Sequence, residues 1–142
     1  MKINYKRLAI FIAIPLVIGA IVGLLTLKDT SNMDSIIPAW VFPVVWTILY
    51  TLMGISSYLV YEKENYVPRI YVVQLIFNYL WVFVFFTFKW YLFAFIWIII
   101  LILLVGVMIK KFYDIDKLSG YLQIPYIIWL VVAAVLNFMY II

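Results

Sequence analysis

Runs of uncharged, apolar residues alternate with short charged segments along the whole chain, and the runs have membrane-crossing length. Leu8 to Leu27 is twenty residues without a charge, about 30 Å as a helix and so matched to a hydrocarbon core. Four further runs follow, at about 44–61, 69–88, 90–109 and 118–142. They are separated by the loop 28–43, the polar turn Glu62-Lys63-Glu64-Asn65, a tight turn at Lys89 and the charged segment KKFYDIDK, 110–117. This pattern predicts an all-α membrane protein, a bundle of five transmembrane helices forming one domain over 1–142. The basic head Met1 to Arg7 followed by an apolar run also describes a signal peptide. The run is too long for one, and no small-x-small cleavage site follows it, so a retained first span is expected.

The polar residues inside the spans are not scattered. In the second span Trp46, Tyr50, Met53 and Ser57 fall at i, i+4, i+7 and i+11 and share one helical face. Gln74, Asn78, Trp81 and Phe85 do the same in the third span, and Tyr126, Trp129, Ala133 and Asn137 in the fifth. An amide in hydrocarbon must find a partner, so Gln74, Asn78 and Asn137 are expected to face other helices or a cavity. Such stripes either pack against neighbouring helices or line a pocket for a flat apolar molecule. Spacing alone leaves both readings open. Trp40, Trp90 and Tyr91 stand near span ends, where aromatic side chains commonly anchor at the interface.

Composition narrows the chemistry. Of the 142 residues 70% are hydrophobic, 20% aromatic and only 11% charged, against about 25% charged in soluble domains. The chain has no cysteine and no histidine, which removes disulfides, thiolate chemistry and the commonest metal and haem ligand. All six acids, Asp29, Asp34, Glu62, Glu64, Asp114 and Asp116, lie in loops. Ion-coupled carriers usually hold an ionisable group near the bilayer middle, so passive handling of an apolar solute fits better. There is no material for hydrolytic catalysis and no phosphate-binding loop. The net charge of +4 is spread over span ends, so no nucleic-acid partner is expected. Eight Lys and Arg (residues 2, 6, 7, 63, 69, 110, 111 and 117) fall on one side, against Lys28 and Lys89 on the other. That bias predicts a cytoplasmic N-terminus in a multi-pass protein of the cell membrane.

Taken together, several segments resemble the translocator protein family, also called tryptophan-rich sensory proteins or peripheral-type benzodiazepine receptors. They are Pro15-x3-Gly19-x3-Gly23, the run Trp40-Val41-Phe42-Pro43-Val44-Val45-Trp46-Thr47-Ile48-Leu49-Tyr50, Met53-Gly54-x3-Tyr58, Gln74-Leu75-x2-Asn78-x2-Trp81-x3-Phe85-Phe86, and Pro125-Tyr126-x2-Trp129-x3-Ala133-x2-Leu136-Asn137. The resemblance implies a five-helix bundle with a tetrapyrrole, cholesterol or drug pocket closed by the first loop. Carried over residue by residue, it places Trp46, Tyr50, Asn78, Trp81, Trp129 and Ala133 in the pocket, with Pro38, Trp40 and Pro43 in the lid. Two departures stand out. The stretch Asn32 to Ile37 lacks the tryptophan the family usually has before the double proline. Phe138, with no basic residue after it, stands where the animal members' proposed cholesterol motif has tyrosine.

The expectation from this resemblance is a membrane receptor or carrier for porphyrin-type tetrapyrroles and similar flat apolar ligands, acting as a stress or tetrapyrrole sensor. Protoporphyrin would be a ligand, with no cofactor required and no metal site. One alternative is light-dependent porphyrin degradation, with Trp46 and Trp129 as the reacting groups. The other is a structural or regulatory partner in a membrane complex, as a homodimer through Gly19 and Gly23, a GxxxG step that lets a second helix approach closely.

Overall fold

The computed structural model describes residues 2–31 and 35–142. Asn32, Met33 and Asp34, half of the tryptophan-free loop stretch, lie outside the described residues. The described residues form helices and connecting turns, with no strand among them. Helix α1 is Tyr5–Leu25 and α2, a short helix of the first loop, is Leu27–Ser31. Helix α3 is Val41–Glu64, and α4 is Arg69–Val82, running on into a π-helical turn over Phe83–Thr87. Helix α5 is Tyr91–Ile115, α6 is Lys117–Leu122 and α7 is Ile124–Met139. With α4 joined to its π turn and α6 to α7, five helices among the described residues are long and apolar enough to cross a membrane.

Each boundary has a local cause. The Asn4 side chain caps α1 by accepting from the Arg7 N–H at 3.1 Å. Helix α3 starts at Val41, so Pro43 sits in its first turn, where a missing N–H costs nothing. Asn65 (φ 61°) ends α3 and Lys89 (φ 57°) makes the turn before α5, both in the left-handed conformation. The segment 110–117, expected as a loop, is helical as far as Ile115. Phe112 extends the buried stripe Ile98, Leu101, Val105 and Met108, and Lys110 pairs with Asp114 at 2.8 Å one turn on. The loop shrinks to Asp116. Its carboxylate caps α6 through the Ser119 N–H at 3.1 Å and meets Lys63 of α3 at 3.1 Å. The fifth span is two helices broken at Gln123, with Pro125 in the first turn of α7.

Packing depends on close backbone approach, because lipid is as apolar as the core and burial alone does not drive helices together in a membrane. Pro15 cannot donate to the Phe11 carbonyl one turn earlier. That carbonyl and the Ile12 backbone instead face Gly54 of α3 so closely that a Cβ there would overlap them. The Tyr79 hydroxyl of α4 donates to the Pro15 carbonyl at 2.8 Å. At the basic end, where the chain begins, Arg7 pairs with Glu62 at 2.6 Å and lies over the Tyr61 ring. The opposite end carries α2, the described loop residues 35–40 and the π turn, with Asp29 accepting from the Thr87 hydroxyl at 2.9 Å. The site lies at this lid end.

Candidate functional site

Two kinds of surface meet at the lid end of the bundle, and the sequence stripes supply both. The first is a hydrogen-bonded thread. The Tyr50 hydroxyl donates to Asn78 Oδ1 at 2.7 Å, and Asn78 Nδ2 donates to the Tyr126 hydroxyl at 2.8 Å. Tyr126 donates in turn to Gln74 Oε1 at 2.7 Å, and Gln74 Nε2 to the Tyr71 carbonyl at 3.0 Å. All five residues are buried. Every donor points the same way, from the cavity wall into the bundle, so each bond polarises the next. Nearer the lid, Trp81 Nε1 donates to Asn137 Oδ1 at 3.2 Å, and Asn137 Nδ2 to the Tyr91 carbonyl at 2.8 Å.

The second surface is aromatic. Trp46 lies flat on Tyr50, ring centroids 5.5 Å apart, and meets Trp129 edge-on at 6.5 Å. Phe42 packs edge-on against both Trp129 (6.0 Å) and Phe86 (6.3 Å). Trp81 stacks on Phe85 at 5.0 Å. The π turn matters here, because its extra residue lets Phe85 and Phe86 both point inward.

A cavity of about 720 Å³ opens beside this wall, between α1 and α3. Leu16, Gly19, Ala20 and Gly23 line it from α1, Trp46 and Tyr50 from α3, and Val82 and Phe86 close its far side. Gly19 has a reason within the chain: a Cβ there would run into the Tyr50 ring. Gly23 meets nothing within 4 Å. A smaller cavity of about 190 Å³ lies under the first loop, lined by Pro38, Trp81, Phe85 and Ala133 among others. Thr30, Ala39, Phe42 and Phe86 belong to both walls, so the two spaces adjoin across the Phe42–Phe86 contact. No charged side chain lines either cavity among the described residues.

The residues expected in one pocket are therefore distributed. Trp46 and Tyr50 face the larger cavity, Trp81 and Ala133 the smaller. Trp129 stands behind Phe42 and Trp46, and Asn78 is inside the hydrogen-bonded thread; neither is on a cavity wall. Of the expected lid residues, Pro38 lines the smaller space and Pro43 the larger, while Trp40 is 68% exposed and lines neither. Phe42 and Phe86 were not singled out by spacing. Both stand in segments that carry the family resemblance, but the aromatic run Phe83 to Phe88 does not reveal a π turn. Among the described residues no cluster of three His, Cys, Asp or Glu side chains is placed to hold a metal ion.

Five described helices able to cross a membrane, packed around an uncharged, aromatic-walled cavity, define a multi-pass membrane protein. Comparison with known proteins is specific: residues 11–142 match the TspO/MBR family, and the chain belongs to that family. It is 38% identical over 103 residues to a tryptophan-rich sensory protein of Cereibacter sphaeroides, covering 71% of this chain and 65% of that one. It is 38% identical over 107 residues to protein CrtK of Rhodobacter capsulatus, 71% and 67% of the two chains. The translocator protein of Homo sapiens is 30% identical over 108 residues, 71% of this chain and 64% of its own. The matched stretch thus spans about two thirds of the length of these relatives.

Proposed function

We propose that this chain is a receptor or carrier for porphyrin-type tetrapyrroles and similar flat apolar molecules, bound within the bundle at the lid end. The observation that carries the reading is the uncharged cavity of about 720 Å³ walled by the stacked Trp46–Tyr50 pair. A planar macrocycle gains dispersion contact on such a wall, and the burial gain of about 25 cal/mol per Å² of apolar area applies to a ligand that arrives from water. Val17, Leu24 and Leu27 line the cavity and are also exposed on the outside of α1 and α2. This fits entry of an apolar ligand from the side of the bundle. The relatives' names, sensory protein and translocator protein, agree with a binding role. The chain contains no histidine or cysteine, so metal-free protoporphyrin should bind at least as tightly as haem. The Lys and Arg bias supports a cytoplasmic N-terminus with the first loop outside.

Titration of protoporphyrin into purified protein, followed by tryptophan quenching, tests the reading. Saturable quenching is expected. The same saturation in a Trp46→Phe, Trp129→Phe double variant would rule this site out. The edge-on Trp46–Trp129 contact at 6.5 Å supports a second reading, light-dependent porphyrin breakdown in which dissolved dioxygen is the oxidant and these indoles are the reacting groups. It requires loss of the porphyrin band beyond one equivalent, with a new product. Loss at the rate given by free tryptophan means bleaching instead.

A further inference from the structure

Four buried side-chain atoms lack a hydrogen-bond partner among the described residues. One, Trp129 Nε1, stands in the aromatic wall at the lid end. The other three belong to the basic end: the Tyr71 hydroxyl and both polar atoms of the Gln123 amide. Gln123 is wholly buried and Tyr71 nearly so. Native structures rarely leave such groups unpaired, and where no protein group reaches them ordered water commonly does.

Register brings the two side chains to one level. Helices α4 and α7 both run from the basic end toward the lid, and the Tyr126 hydroxyl of α7 donates to Gln74 of α4 at 2.7 Å. Tyr71 and Gln123 each stand three residues earlier, about one turn nearer the basic end on the same inward faces. Yet they make no bond with each other, the situation in which a bridging water is expected. From α3, Ser57 donates to the Gly54 carbonyl at 3.1 Å and is a polar neighbour of the Tyr71 phenol. The Phe112 ring of α5 packs against the Tyr71 ring at 5.9 Å. The backbone points the same way. Pro125 has no N–H with which to continue the helical ladder, and the fifth span breaks at Gln123. At membrane depth, irregular backbone persists only where protein surrounds it or water reaches it.

We propose that the basic end holds an internal water site, in which a small water cluster bridges the Tyr71 hydroxyl of α4 to the Gln123 amide at the break in the fifth span. The donor and acceptor counts match. The phenol offers one donor and an acceptor, the amide two donors and an acceptor oxygen, and a buried water takes about two to four such partners. The water ties α4 to the one place where the fifth span lacks helical continuity. It also continues the thread, whose last bond runs from Gln74 Nε2 to the Tyr71 carbonyl. Tyr71, Ser57 and Gln123 line neither cavity, so this site is separate from the one at the lid end and independent of what binds there.

Water-edited magic-angle-spinning NMR on the full chain in lipid bilayers tests the site. Magnetisation from water should reach the Gln123 side-chain amide and the Tyr71 ring about fivefold faster than the Asn78 side-chain amide, which lies inside the thread. Gln123→Met keeps the length of the side chain without its amide and should slow transfer to Tyr71 severalfold. Tyr71→Phe should do the same to the Gln123 amide, so either variant serves where the other fails to fold. The wild-type comparison needs no variant at all. Transfer to Gln123 as slow as to Asn78 would mean that no water bridges the pair, and would overturn the proposal. Fast transfer that survives both substitutions would mean that interfacial water reaches this end without a built site, and would overturn it too. Neither result bears on the protoporphyrin titration, and a chain blind to protoporphyrin would still be expected to hold this water.

Discussion

The hydrogen-bonded thread and the aromatic wall share Tyr50, yet they are built on opposite principles. In the thread, donors and acceptors of α3, α4 and α7 satisfy one another within 2.7–3.0 Å, leaving little for a visitor. In the wall, rings meet at 5–6.5 Å and mostly edge-on, beside about 720 Å³ of open space. The contrast teaches that a polar residue inside a membrane bundle is not by itself a ligand contact. Asn78 looks like a polar handle and behaves as a tie between three helices. The surface that faces the larger cavity is mostly carbon, from rings such as Phe42 and Trp46 and from the aliphatic side chains of α1.

The sharpest way to break the contrast is to spoil the frame both regions hang on. Gly54→Leu sets a side chain against the α1 backbone, which cannot yield as a flexible side chain would. The expected cost is about 3 kcal/mol or more, read as loss of folded protein on thermal challenge in detergent, with the cavity lost as well.

Next come changes that should separate the regions. Asn78→Leu leaves the Tyr50 and Tyr126 hydroxyls short of a partner and should cost about 1–3 kcal/mol of stability. A double-mutant cycle with Tyr126→Phe should show coupling of about 0.5–1.5 kcal/mol, measured by unfolding. Zero coupling would mean that the thread is not a unit. Trp46→Phe should do the opposite, weakening flat-ligand binding about tenfold through lost stacking area while costing under about 1.5 kcal/mol of stability. A Trp46→Phe protein as unstable as Asn78→Leu, with unchanged binding, would erase the distinction.

The smallest effect concerns the basic end, far from both regions. Burial works against the charge of Asp116, but the Lys63 ammonium and the Ser119 and Leu118 N–H groups outweigh it and hold the carboxyl below its ordinary value. A carboxylate with a depressed folded pKa stabilises fully above its unfolded pKa, and that stability is lost as pH falls through the folded value. Thermal stability should therefore decline on acidification below about pH 4. Asp116→Asn should flatten that decline without altering ligand affinity at neutral pH. An unchanged acid profile would remove Asp116 from the account.

Some of this was written plainly in the chain. Apolar runs of about twenty residues in a medium without water can only be helices, since each backbone group must be satisfied inside its own segment. The number of spans and the all-α class followed from that. Helical periodicity also placed Trp46 with Tyr50, Gln74 with Asn78 and Tyr126 with Asn137 on inward faces, because a 3.6-residue repeat fixes which side chains share a side. Tertiary structure decided the rest. Whether Asn78 serves a ligand or its neighbours depends on Tyr50 and Tyr126, brought to it by other helices from 28 and 48 residues away. The π turn that points Phe86 inward, and the cover that Phe42 makes over Trp129, arise where separate segments meet. Periodicity fixes the direction of a side chain around its own axis, whereas what lies opposite, a bond or an empty space, is set by how the axes pack.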